Sequence, residues 1–187
     1  MDLKEYFEGF NTTLTECLKD VKCYQGLAAA VEMLKQTKME GTKIILIGNG
    51  GSAAIAEHMA IDLTKNAGLR AITISGSPQM TTFANDYGYE NIYSKGIEAY
   101  ADRGDVLVAI SSGGTSPNIL NAVKAARKIG CKVVTFSGFE KGNPLGQMGD
   151  INIYVATSAY GYVEIIHNLL IHYINDQIIG KAVYKIS

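Results

Sequence analysis

Residues 43–52 read KIILIGNGGS, an apolar run of strand length that stops at a glycine-rich turn. A helical pattern, 53–65, follows at once. A strand with no polar alternation is buried on both faces, which is the habit of parallel strands covered by helices on either side. The same kind of run recurs at 71–75, 106–110, 133–136 and 151–155. Helical patterns at 89–101 and 116–128 stand between later runs, with Gly104 and Gly130 where helix stops are expected. Strand-like runs alternating with helices predict right-handed βαβ crossovers, and so an α/β three-layer sandwich around a five-stranded parallel sheet. A flavodoxin-like order, 2-1-3-4-5, is the expectation. Residues 2–40 add two helical stretches split near 23–25, the second over 27–38, and Tyr160–Ile179 is one long helix. This N-terminal helical hairpin and C-terminal helix exceed a minimal sheet domain and offer surface for an oligomer.

The chain has 187 residues, which predicts one domain, with 1–40 as its N-terminal helices and 41–187 as the core and last helix. With 47% hydrophobic and 19% charged residues it can bury a full core. Seventeen basic and eighteen acidic residues leave a net charge of -1, with no basic block to bind nucleic acid. Cys17, Cys23 and Cys131 form no C-x-x-C pair, which speaks against a disulfide framework and a thiolate zinc site and for reduced thiols. The N-terminal residues lack the pattern of a signal peptide, and no apolar run approaches the ~18 residues of a spanning helix. A cytoplasmic protein without a membrane partner is expected.

Two loops carry the binding chemistry. Asn49, Gly50, Gly51 and Ser52 follow the first strand and open a helix, where free N–H groups and the positive end of the helix dipole favour an anion. Glycines let the backbone come close to it. Gly48, Gly50 and Ala53 also fit G-x-G-x-x-A, but the next strand ends in Ile74-Ser75-Gly76-Ser77, without the acidic residue that would hold a dinucleotide ribose. No Gly-Lys-Ser/Thr follows, so a P-loop is excluded. The third strand ends in Ser111-Ser112-Gly113-Gly114-Thr115-Ser116-Pro117, with Ser116 as N-cap and Pro117 in the first helical turn. Four hydroxyls and two glycines can wrap a phosphate monoester with neutral donors. Strands one and three flank the switch point of a 2-1-3-4-5 sheet, so the two loops face one crevice.

The three histidines lie in two helices. His58 and Asp62 are spaced i, i+4, and Glu164, Asn168 and His172 are spaced i, i+4, i+8, so each set shares a helix face. Brought together, the faces give two imidazoles and two carboxylates, able to do acid–base work or to bind Zn²⁺. The bland alternative is a pair of ordinary surface or core histidines. His167 points about 140° away from His172 around the helix and is expected to be structural or supporting.

The stretches GNGGSAAIAEHMAIDL (48–63), FANDYGY (83–89) and AISSGGTSPN (109–118) resemble the sugar isomerase (SIS) domain family, and within it the phosphoheptose isomerases. The resemblance implies a five-stranded parallel sheet, a homotetramer with active sites between subunits, and isomerisation of sedoheptulose 7-phosphate to a heptose 7-phosphate. It implies that Asn49, Ser52, Ser111, Ser112 and Ser116 contact the sugar phosphate and that Asp86 meets sugar hydroxyls. Gly50, Gly51, Thr115 and Glu164 complete the expected binding set. Asp62 and His172 become the catalytic pair, and His58, Asp62, Glu164 and His172 a zinc set. The chain departs from the family at Asp62, where the family has glutamate, at Glu164, where it has glutamine, and at Gly113, where it has serine. Its segment at 158–162 offers no counterpart of a substrate-binding aspartate. A non-catalytic SIS protein that binds a protein partner or senses a sugar phosphate is the alternative.

Overall fold

Successive residues of the central strands face opposite layers, and the sequence fills both with apolar side chains. The structure, a computed structural model, describes residues 2–183. In β1 (Ile44–Gly48), Ile44 and Leu46 enter one core while Ile45 and Ile47 enter the other. In β3 (Val106–Ser111), Val106, Val108 and Ile110 join the first core, and Leu107 and Ala109 the second. Burying each such Ile or Leu is worth about 1.5–3 kcal/mol, so both faces of the sheet are stabilised by the same run of residues.

Five parallel strands form one sheet in the order β2-β1-β3-β4-β5, the order expected. The others are β2 (Ala71–Thr73), β4 (Lys132–Ser137) and β5 (Ile151–Tyr154). The first layer is built from α1 (Leu3–Lys19), α2 (Val21–Glu40), α3 (Gly51–Lys65) and α7 (Tyr160–Ile179). The second holds α4 (Ser77–Tyr87), α5 (Ile92–Tyr100) and α6 (Pro117–Ile129).

Three local expectations are corrected. The break in the N-terminal hairpin falls at Asp20, not at 23–25, because Asp20 ends one helix and begins the next. Its N–H donates to the carbonyls of Glu16 and Cys17, and its carboxylate accepts from Lys22 N at 2.8 Å. The helix expected over 89–101 is a 3₁₀ turn, Tyr89–Asn91, leading into α5. Helix α4 was not anticipated, although Met80, Phe83, Ala84 and Tyr87 recur at helical spacing and the first three pack half-buried on the second core; Pro78 in its first turn and Gly88 (φ 83°) at its end bound it. Strand β2 is the sheet edge and pairs for only three residues, after which a Thr73–Ser75 hydroxyl contact at 2.9 Å turns the chain away.

At the amino ends of the strands, buried Asp105 accepts from Lys43 N at 2.9 Å and Asp102 N at 2.8 Å, and pairs with the Lys43 ammonium at 2.6 Å. That end is closed by the protein's own groups. The carboxyl ends of β1 and β3 are where loops and unpaired donors gather.

Candidate active site

The turn from β1 into α3 is tight enough to require glycine: a Cβ on Gly48 would lie 2.5 Å from the Ser52 carbonyl. The Tyr93 hydroxyl, on α5, donates to the Gly48 carbonyl. Asn49 is fixed by a reciprocal amide pair with Asn118 of α6, donating at 3.0 Å and accepting at 2.8 Å, and also accepts from the Tyr89 hydroxyl at 3.3 Å. This pair ties the first loop to the second. Asn118 was not foreseen as a site residue, although it ends the very motif that carries the second loop.

Between the loops lies a cavity of about 250 Å³ lined by Asn49, Ser52, Ser111, Ser112, Thr115 and Ser116, with Ile110, Gly113, Phe139 and Tyr160 completing its wall. No lysine or arginine lines it, so an anion there would be held by hydroxyls, N–H groups and the start of α6. Ser116 occupies the N-cap position of α6 without spending its hydroxyl on the cap; that oxygen lies 3.4 Å from Ser111 Oγ. Ser112 Oγ is buried and has no hydrogen-bond partner among the described residues. Buried hydroxyls are almost always paired, so an orphan in a polar cavity marks where a ligand oxygen belongs.

The second group of residues meets where α3 packs on α7. Asp62 Oδ2 is 3.5 Å from His58 Nε2 and 3.9 Å from His172 Nδ1, and the two imidazole rings stand 4.9 Å apart, edge to face. Asn66 donates to the other carboxylate oxygen of Asp62 at 3.1 Å. The Asp62 side chain is 15% exposed, against 50% for His58 and 45% for His172. A mostly buried carboxylate thus faces two half-exposed imidazoles, an arrangement able to pass protons to and from a ligand.

Beside it is a cavity of about 310 Å³ lined by Gly51, Ala54, Ile55, His58, Glu164, Ile165 and Asn168. Glu164 rests on Gly51, where a Cβ would lie 2.5 Å from Oε1, so the carboxylate fills the space that a side chain there would take. A negative charge at the first residue of α3 is favoured by the helix dipole. The hydroxyl cavity, by contrast, has no carboxylate in its lining. Gly51 therefore faces the second cavity, while Gly50 (φ 53°) has open space beside it and shapes the turn.

The donor types of His58, Asp62, Glu164 and His172 suit zinc. As arranged, however, no group of three or more His, Cys, Asp or Glu side chains among the described residues is set to hold a metal ion. Asp86 lies exposed on α4, hydrogen-bonded to Asn85 at 2.8 Å, and lines neither cavity. His167 is fully buried, with Nε2 3.2 Å from the Ser137 carbonyl and its ring edge-on to Phe136. Burial lowers its pKa to about 4, so it is a neutral structural residue. Phe139, in a loop, and Tyr160, the first residue of α7, were missed because nothing local in the sequence tells that either aromatic will line this cavity.

Residues 5–138 match the family described as SIS domain. The chain is 38% identical to the phosphoheptose isomerase of Enterobacter sp. (strain 638) over 179 residues, 92% of each chain. It is 37% identical to that of Aliarcobacter butzleri over 152 residues, 78% of this chain and 80% of the relative. The solved structure of phosphoheptose isomerase from Neisseria gonorrhoeae superposes with a TM-score of 0.87 at 32% identity, covering 94% of this chain and 96% of the other. With its two loops at the sheet switch point and an α3–α7 acid–base cluster beside them, the chain belongs to the SIS-domain family and, within it, to the phosphoheptose isomerases.

Proposed function

We propose that this chain is an aldose–ketose isomerase that interconverts sedoheptulose 7-phosphate and a heptose 7-phosphate. One observation carries the reading. Adjacent residues Ser52 and Gly51 divide two cavities, one lined by phosphate-type donors and the other by His58 and Glu164, and the same face of α3 runs on to Asp62. A sugar phosphate anchored by its phosphate in the first cavity would extend its carbonyl end along that face.

In the ketose-to-aldose direction, a base takes a proton from C1 while the C2 oxygen gains one, giving an enediol. Returning a proton to C2 and removing the one on the C1 oxygen yields the aldehyde. Asp62 is the base for carbon, and His172 moves the protons on the oxygens. His58 supports the Asp62 carboxylate from its own helix. Asparagine and serine side chains, Asn49, Ser52, Ser111, Ser112 and Ser116, with Thr115, hold the phosphate, and Asp86 is proposed for sugar hydroxyls. His58, Asp62, Glu164 and His172 carry the donor types that would hold zinc, which when bound would polarise the substrate carbonyl.

Half-exposed catalytic imidazoles suit a site completed by another subunit. Exposed Ile61 and Ile165 on the same two helices support a homotetramer, here proposed for a cytoplasmic enzyme. No helix is long and apolar enough to cross a membrane among the described residues.

The test is product formation from sedoheptulose 7-phosphate, with and without chelator, beside unphosphorylated sedoheptulose. Turnover of the phosphorylated sugar alone is expected. Ser112→Ala should raise KM about 10–100-fold, the worth of one hydrogen bond to a charged group. Equal handling of both sugars by the wild type would contradict the phosphate assignment.

A further inference from the structure

Phe139 is the sole non-glycine residue with a positive φ among the described residues, at 59°. A bulky side chain in the left-handed region is strained and persists only where its surroundings fix it. Here they do. Its N–H donates to the Thr157 carbonyl at 3.0 Å, and its own carbonyl accepts from the Tyr154 hydroxyl at 2.7 Å. The preceding residue, Gly138, donates its N–H to the Ser112 carbonyl at 2.8 Å, which attaches this turn directly to the second loop.

The strained backbone aims the ring at the hydroxyl cavity. Its Cδ2 and Cε2 lie 3.5 and 3.7 Å from where a Cβ on Gly113 would stand, so the ring rests over the bare backbone of that loop. Its other neighbour is Tyr160, at a ring separation of 5.7 Å and an angle of 73°. The two rings form an apolar wall on a cavity whose remaining lining is mostly hydroxyl and amide. Such a wall does two things. It shields one side of the donors from water, which strengthens their bonds to an anion, and it gives the ligand an apolar surface to rest on.

We propose that Phe139, held in its left-handed conformation, is a further substrate-binding residue that walls one side of the phosphate cavity with its ring. This rests on the isomerase reading above. The role is one of binding, so its loss falls on KM more than on kcat.

Three variants test it: Phe139→Gly and Phe139→Ala, which both remove the ring, and Phe139→Tyr, which keeps it. Calorimetry with inorganic phosphate and kinetics with sedoheptulose 7-phosphate are the readouts, with melting temperatures alongside. Both ring-less variants should bind phosphate about tenfold more weakly and show a KM raised by a similar factor, and Phe139→Tyr should recover most of the affinity. Phe139→Gly should melt above Phe139→Ala, because only glycine accepts the backbone without strain. Wild-type phosphate affinity and KM in Phe139→Gly would overturn the proposal while leaving the isomerase reading intact. A KM that follows melting temperature, worse in Ala than in Gly, would make the residue merely structural and also overturn it. Absence of phosphate binding in the wild type would overturn both readings together.

Discussion

Asp62 is the base in the proposed reaction, one methylene shorter than the glutamate of the family pattern. Asn66 holds one carboxylate oxygen and leaves Oδ2 facing His58 and His172. The spacing of these residues was visible in the sequence, because i, i+4 pairs share a helix face. That the two faces meet was not, since it depends on the packing of α3 against α7. His167 illustrates the opposite case, a histidine whose burial excludes it from the site. Its pKa is lowered from the ordinary 6.5 to about 4, chiefly by burial. Between those values the unfolded chain binds a proton that the folded protein refuses, so stability present at neutral pH is lost as pH falls from about 6.5 to 4. The upper bound is about 3 kcal/mol, at 1.36 kcal/mol per unit. His167→Leu should flatten the fall in melting temperature over that window, with the Ser137 carbonyl still paired to Val155 N at 2.9 Å. An unchanged fall would show that the acid sensitivity lies elsewhere.

The elements divide into those with a pattern to read and those fixed by single residues. Strands β1, β3 and β4 announced themselves because both faces are buried and the apolar runs are unbroken. Helix α4 did not, since its apolar positions, Met80, Phe83, Ala84 and Tyr87, span only two turns and none is fully buried. The boundary at Asp20 was displaced because one side chain does the work of a cap, and capping competes poorly with periodicity as a sequence cue. Phe139 lies at the far extreme: a glycine can announce a positive φ, but a phenylalanine cannot. Helical faces also carry the proposal of assembly. Leu3 and Phe7 of α1, and Ile165 and Leu169 of α7, remain exposed on the single chain. Light scattering at micromolar concentration should give a mass about four times 20.1 kDa. A monomer mass would remove the tetramer and, with it, the explanation for the half-exposed imidazoles.

At the scale of the whole molecule, the sheet order places the carboxyl ends of β1 and β3 side by side, and both loops open there. This much was legible, because five buried runs alternating with helices leave few topologies. The division of the crevice into two cavities was not. It depends on Glu164 reaching across from α7 to rest on Gly51, a contact between residues 113 positions apart that no local pattern encodes. The consequence is a two-part crevice, with hydroxyl donors on one side of the start of α3 and the His58, Asp62 and His172 side chains further along it. The most direct measurement is the rate of sedoheptulose 7-phosphate isomerisation by the wild type and by Asp62→Asn, after melting curves show both folded. The amide cannot take a proton from carbon, so wild-type turnover and a loss of about 10²–10⁴-fold in the variant are expected. Undiminished turnover in Asp62→Asn, or no turnover by a wild type that still binds phosphate, would contradict it.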